Sequence, residues 1–414
     1  MTDLKSTLLE WIDNDAEELV DFFSRFVQAK SPNPPGDTTE AVAFICEFLE
    51  KRGLPYGLVA PQPTMPNVVG SFECGSPGRH LVFNGHIDVY PVGDEAWTYG
   101  PWSGEIVNGR VYGRGACDMK AGTSASIFAY AYLYRIREHL KGRLTLTAVS
   151  DEETGGPWGT NYLMKHTAEV RGDCLLNGEP SSPSAIRFGE KGSLWLTFTV
   201  STPGAHGAYT HMSPSATKIA AKLILDLEAV TSIEPSPPAD VARVIAEIEE
   251  ATEKAQGPGA YKTVKAVTLN IGVIHGGLKV NMTPGQCLFE ADFRLPVGVT
   301  KDQIMERVEE ILRRYPDVSV KEMRHHEPTV CDPCGEMVRI IQRNVRELKG
   351  FEPTPILSIG GTDTRLWRSE GIPGYVYGVS PTNMASADEY VEIDEFLHVV
   401  RTHVLSSYDY LTNS

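Results

Sequence analysis

The run Leu81-Val82-Phe83 followed by Asn84-Gly85-His86-Ile87-Asp88-Val89 constrains this chain more than any other stretch. A short apolar run bounded by polar residues reads as a buried strand. It ends in His86 and Asp88, one residue apart. Alternate strand residues face the same way, so both side chains can reach one cleft. The pattern recurs. Leu144-Thr145-Leu146-Thr147-Ala148-Val149 runs into Ser150-Asp151-Glu152-Glu153, and Leu175-Leu176-Asn177-Gly178 runs into Glu179. These strand ends deliver a histidine, paired acids and a glutamate to loops, and sites in open α/β sheets form outside the carboxyl ends of strands.

A histidine with several carboxylates is the ligand set of a hydrolytic metal site. Zinc accepts histidine nitrogen and carboxylate oxygen, and manganese or cobalt can use the same donors. Glu152-Glu153 is the sharpest part of the pattern. Two adjacent carboxylates repel unless a cation or a proton sits between them.

Four motifs carry a family resemblance: Gly85-His86-Ile87-Asp88, Gly113-Arg114-Gly115-Ala116-Cys117-Asp118-Met119-Lys120, Ser150-Asp151-Glu152-Glu153 and Gly178-Glu179-Pro180. On these the chain resembles, over nearly its whole length, the zinc-dependent amidohydrolases and exopeptidases. That family includes acetylornithine deacetylase, succinyl-diaminopimelate desuccinylase, glutamate carboxypeptidase and aminoacylase. The resemblance implies an α/β fold with a central mixed sheet flanked by helices, as in zinc exopeptidases, and an inserted smaller α+β, ferredoxin-like lid. The catalytic unit is expected at 1–190 and 331–414, and the lid, also the expected homodimer contact, at 191–330.

The resemblance also implies site roles. His86, Asp118 and Glu179 would hold one metal. Asp118 would bridge to a second, completed by Glu153 and a C-terminal histidine. Glu152 would be the general base, and the Asp88 carboxylate would hold the far nitrogen of His86. His206 would stabilise the oxyanion, often from the partner subunit, and Asn281 and Arg294 would contact the substrate's polar end. Arg294 suits a carboxylate because its fork binds two oxygens at once. The C-terminal histidine is missing. Ser380-Pro381-Thr382-Asn383-Met384-Ala385-Ser386-Ala387-Asp388-Glu389-Tyr390-Val391 has Met384 near the expected position, and a thioether is a poor ligand for zinc or manganese. One metal per chain is therefore favoured over two.

Three functions stay open at this point. The first is hydrolysis of the amide of an N-acyl amino acid or peptide-like molecule. The second is a one-metal aminohydrolase acting on an aromatic amine such as a nitro-substituted aminobenzoate. The third is a small-molecule binder that kept the fold without catalysis. The net charge of −16 argues against nucleic acid and anionic membrane as partners. The sequence lacks a bilayer-length apolar run and a signal-like N-terminus, so a cytoplasmic protein is expected. Seven scattered cysteines fit reduced thiols, and Cys331-Asp332-Pro333-Cys334 has no second pair near it.

Apolar spacing predicts a helix over 3–29 and another near 38–53 with Asp37 as N-cap. Paired strands are expected around Gly75-Ser76-Pro77-Gly78, and helices over 123–139 and 155–165. A helix near 214–230 is expected to lead into a loose polar segment up to Ala260, with strands at 268–274, 287–295 and 318–323 and a helix over 301–314 after it, and the chain is expected to end in a helix over 392–412.

Overall fold

The strand Ser76–His86 lies inside a mixed sheet in the computed structural model, which describes residues 4–412. It pairs in parallel with Lys141–Val149 on one side and with Cys174–Asn177 on the other. Leu81, Val82 and Phe83 are all fully buried, as expected of a central strand covered on both faces. Leu81 and Phe83 point into one core, shared with Phe128 and Val400 of the helices Ala121–Arg135 and Ile393–Thr412. Val82 points into another core, with Val149, Leu163, Leu175 and Trp367. The two-residue period of a strand makes that division.

The remaining sheet runs, edge to edge, through Gly57–Val59, Asn67–Glu73, Lys141–Val149, Ser76–His86, Cys174–Asn177, Gly374–Val376, Ala185–Glu190 and Thr329–Val330. Thr354–Ser358 also pairs with Ala185–Glu190. Asn67–Glu73 and Ser76–His86 are thus not partners, as was expected, because Lys141–Val149 lies between them. Its Leu144, Leu146 and Ala148 are buried, and only an interior position hides an apolar strand so fully. The expected N-terminal helix is two, Leu4–Asn14 and Ala16–Gln28. The break falls at Asp15, whose carboxylate accepts a hydrogen bond from Tyr132 (2.9 Å).

A second sheet is antiparallel, in the order Thr268–Gly276, Gln286–Leu295, Gly192–Ser201, Val318–His326. The helices Ala216–Leu227 and Lys301–Leu312 cover one face, giving β-α-β-β-α-β order. Residues 239–265 depart from the loose segment expected there. They form the helices Ala239–Glu247, Glu249–Gln256 and Ala260–Lys265. Val241 and Val264 join the core of the first sheet, and Ile248 and Ala255 pack with Ala185 and Ile356. Part of the stretch expected as lid therefore backs the large sheet. No helix among the described residues is long and apolar enough to cross a membrane.

Candidate metal centre

His86 ends its strand with a ring that is almost wholly buried. Its Nδ1 lies 2.8 Å from the backbone carbonyl of Asp88. That contact fixes the tautomer and turns Nε2 outward as a ligand. Nε2 faces Asp118 Oδ1 at 3.1 Å and Glu179 Oε1 at 3.4 Å. Ligand atoms of His86, Glu152 and Glu179, and of His86, Asp118 and Glu153, lie within 4.8 Å of one another. The structure thus brings His86, Asp118, Glu152, Glu153 and Glu179 together from four separate motifs.

Asp88 does other work than expected. Its carboxylate is 3.8 Å from His86 Nδ1, beyond hydrogen-bond reach. Its oxygens instead accept the backbone N–H groups of Glu152 (3.2 Å) and Glu153 (3.1 Å) and the Asn33 side-chain amide (2.9 Å). A short loop cannot fold its carboxylate back onto the ring while the carbonyl already occupies Nδ1. Asp88 fixes the acid pair, and its carbonyl fixes the histidine.

Close backbone approach holds two of the motifs together. A Cβ on Gly122 would sit 1.9 Å from the Gly178 carbonyl oxygen, and one on Gly178 would sit 2.6 Å from Gly122 Cα. Only glycine at both positions lets the helix that follows Asp118 reach the loop that carries Glu179. From the far side, the buried Glu389 receives the N–H groups of Cys117 (2.9 Å) and Asp118 (3.3 Å) and pairs with Arg114 (2.8 Å). Sequence reasoning gave Glu389 no role, although it stands in the run that holds Met384.

The residues fit a divalent cation. Burial first, and His86 and Asp118 after it, set the Glu179 carboxyl at about 7. Burial, then Asp363, holds the Glu152 carboxyl well above the ordinary range, and burial, then Asp118, does the same to Glu153. Glu153 Oε1 is buried without a hydrogen-bond partner. Carboxylates crowded in this way around one imidazole stay ionised together only with added positive charge between them. Contact with His86 outweighs burial at Asp118 and lowers that carboxyl, and the same carboxylates raise the His86 imidazole against its own burial.

Arginines surround the acids. Arg365 Nη1 is 3.8 Å from Glu152 Oε1 and donates to the Thr362 carbonyl at 2.5 Å. Its loop is pinned by Glu190, which accepts from Thr362 N–H (2.8 Å), Thr362 Oγ1 (2.9 Å) and Arg368 (2.9 Å). Arg324, from the second sheet, donates to the carbonyl of Thr154 (3.1 Å), next to the acid pair. A cavity of about 710 Å³ opens beside Asp118 and Glu179, and its lining includes Arg187, Lys191, Arg294 and Met384. His326 packs near Gly361, and burial, then Arg365, pushes its imidazole down to about 3, so it is neutral. Sequence spacing gave no sign of Arg187, Arg324 or His326, because none stands in a motif.

Three expected residues lie apart from the cluster or at its margin. Arg294 lines the cavity and donates to Asp292 (2.9 Å). Asn281 is exposed, with its carbonyl accepting from Gly207 N–H (2.8 Å). His206 is exposed, accepts from Ala208 N–H (3.2 Å) and contacts Tyr209, and none of these contacts reaches the cluster. His398 and His403 are turned to Tyr377, at 2.7 Å from its hydroxyl and from its carbonyl respectively.

The chain is similar to known proteins over most of its length. The family model described as Peptidase family M20/M25/M40 matches residues 82–406. A succinyl-diaminopimelate desuccinylase of Methylorubrum extorquens is 35% identical over 213 residues, covering 48% of this chain and 55% of that protein. One from Cereibacter sphaeroides is 27% identical over 358 residues, covering 83% and 87%. The M20 family metallo-carboxypeptidase of Sulfolobus solfataricus superposes with a TM-score of 0.82 at 19% identity, covering 95% of this chain and 99% of that one.

Proposed function

Since the chain belongs to peptidase family M20/M25/M40 and is a metal-dependent hydrolase of carbon–nitrogen bonds, we propose that it cleaves the amide of a small N-acyl amino acid that carries a carboxylate. One observation carries the proposal: ligand atoms of His86, Glu152 and Glu179, and of His86, Asp118 and Glu153, converge within 4.8 Å of one another. His86, Asp118 and Glu179 hold a divalent ion, zinc or manganese. Such an ion, when bound, supplies Lewis acidity and lowers the pKa of water at the site. One ion per chain is held tightly, because both ligand groups draw their only nitrogen from His86, and Met384 lines the cavity where a second nitrogen would be needed.

Glu152 takes a proton from the attacking water and delivers it to the leaving amine nitrogen. Its raised pKa in the bare protein keeps it a good proton carrier, and Arg365 holds it in place. Asp88 fixes the Glu152–Glu153 backbone, so base and ligand keep one spacing. Arg294, in the cavity, binds the substrate's carboxylate. His206 serves the oxyanion of the neighbouring subunit in a homodimer.

The test is metal content per chain after purification without chelator, with turnover on a panel of N-acyl amino acids and on aminobenzoates. One ion per chain and amide hydrolysis that falls about 10²–10⁴-fold in Glu152→Gln are the expected results. Two tightly held ions would overturn the one-ion assignment. Ammonia release from aminobenzoates with no amide cleavage would move the activity to aryl amines. Full turnover in Glu152→Gln would remove the general base.

A further inference from the structure

The segment 31–38 belongs to none of the four motifs, yet it reaches the centre of the site. It lies between the helices Ala16–Gln28 and Thr39–Lys51. Its Ser31, Asn33 and Thr38 are polar and buried, and buried polar groups need partners. The metal-site loops supply them. Ser31 Oγ donates to the Ile87 carbonyl (2.6 Å), Val89 N–H to the Ser31 carbonyl (2.9 Å) and Asn33 N–H to the Val89 carbonyl (2.9 Å). These bonds lay the segment along residues 87–89. Thr38 Oγ1 lies 2.7 Å from Ser150 Oγ, two residues before Glu152.

The Asn33 side chain joins two acids. Its Nδ2 donates to Asp88 Oδ2 (2.9 Å) and to Asp151 Oδ1 (3.2 Å). All three residues are buried. One amide nitrogen carries two protons and no charge, so it can serve a carboxylate on each side. The network fixes its orientation, because the turned amide would set its carbonyl oxygen against both acids. A serine hydroxyl has only one proton to give, and an aspartate there would be a third buried carboxylate.

The backbone that the amide holds is strained. Asp151 has φ +68°, in the left-handed region that is uncommon for residues other than glycine. Such a conformation persists only where its surroundings over-determine it. Asp151 Oδ1 accepts from Asn33 and from Thr154 Oγ1 (2.7 Å), and Oδ2 accepts from Trp158 N–H (3.1 Å). Glu152 is the next residue, so the turn at Asp151 sets where its side chain leaves the backbone. Asp88, the other acid on the amide, holds the N–H groups of Glu152 and Glu153. Asn33 therefore ties together both anchors of the acid pair.

We propose that Asn33 is a positioning residue for catalysis, which sets Glu152 through Asp151 and Asp88 and makes the segment 31–38 part of the active-site scaffold. This rests on Glu152 being the general base, as proposed above.

The experiment measures kcat and KM on an N-acyl amino acid, metal content, and backbone hydrogen exchange by mass spectrometry. The proteins are wild type, Asn33→Ala, Asn33→Ser, Asp151→Ala and the Asn33→Ala/Asp151→Ala double variant. Asn33→Ala should lower kcat by roughly 10–100-fold, the cost of a group displaced by about 1 Å, with KM within about twofold of wild type. Metal content should not change, because the side chain touches none of His86, Asp118 and Glu179. Asn33→Ser, which keeps one donor, should fall between, and it serves if the alanine variant folds poorly. The double variant should lose little more than the worse single one, since the two residues share one hydrogen-bond network. Losses that multiply would overturn the action through Asp151. Exchange should rise over residues 150–158 and stay at the wild-type rate over Ser76–His86. A rise throughout the chain would make Asn33 a stability residue only and overturn the proposal, as would an unchanged kcat. If wild type cleaves no amide, the amide reading fails, and the exchange pattern alone decides whether Asn33 holds the acid-pair loop.

Discussion

Asp88 separates what a motif says from what a residue does. The His-x-Asp spacing was legible and the acid is where it was expected, but its carboxylate holds two backbone N–H groups of the acid-pair loop and leaves the imidazole to its own carbonyl. Sequence spacing can place a side chain near a partner. It cannot tell which oxygen of the residue makes the contact. Asp88→Asn keeps the shape and the backbone carbonyl but turns an amide N–H₂ toward donors. Two charge-assisted acceptances are disturbed, each worth about 1.5–3 kcal/mol. The expected outcome is a kcat at least ~10-fold lower with metal content near wild type, read by steady-state kinetics and elemental analysis. Loss of the ion instead would mean that Asp88 acts through His86 after all. Glu389→Ala should do the opposite. It strips the Cys117 and Asp118 N–H groups of their acceptor and strands Arg114 in a buried site. Breaking such a pair costs about 3–5 kcal/mol, so a fall in the urea midpoint together with weaker metal binding is expected.

At the scale of elements, the apolar runs gave the central strands correctly and their neighbours less well. Ser76–His86 and Lys141–Val149 were visible because continuous burial leaves continuous apolar residues. Their order was not, because pairing depends on which faces the helices cover, and no local pattern encodes that. The helices of 239–265 were missed because each is short and the middle one, Glu249–Gln256, is largely polar, yet Val241, Ile248, Ala255 and Val264 are buried against the large sheet. The final helix Ile393–Thr412 was read almost to the residue, and it yields a pH prediction. His403 on that helix is fully buried under Phe83 of the site strand, with ring centroids 6.2 Å apart. Burial pushes its imidazole down to about 4 from 6.5. Between those values the unfolded chain binds a proton that the folded chain refuses, so stability rises with pH across this window. The neutral ring's contribution is complete above pH 6.5 and is lost toward pH 4, by roughly 3 kcal/mol. Urea unfolding at steps from pH 7 to pH 4.5 should show that slope, and His403→Gln should flatten it while lowering stability at pH 7. An unchanged slope in the variant would assign the acid sensitivity to other groups.

The whole molecule leaves one expected catalytic group stranded, and that fact bears on assembly. His206 lies on the short strand Ala205–His206, which pairs only with Met282–Thr283 in a separate two-stranded ribbon and is exposed. Around it the surface is apolar: Leu278 is 92% exposed, Val280 100% and Met212 67%. Tyr209 and Met282 are also exposed there. Large apolar side chains gathered on one outer ledge mark a contact surface, and a twofold pairing would cover the same ledge on both copies. The prediction is a dimer by light scattering, and a monomer for Val280→Glu, since a carboxylate buried at a symmetric contact meets its own copy. If His206 completes the neighbour's site, the monomeric variant loses turnover although its metal cluster is intact. A mixing experiment isolates that step. His206→Ala and Glu152→Gln are each nearly inactive alone. When mixed and allowed to exchange subunits, half the dimers become mixed, and one site in each of these has both an intact base and an intact histidine across the contact. About a quarter of wild-type activity should return. No recovery, with exchange verified by mass-tagged subunits, would confine His206 to its own chain and require the lid to carry it to the cluster.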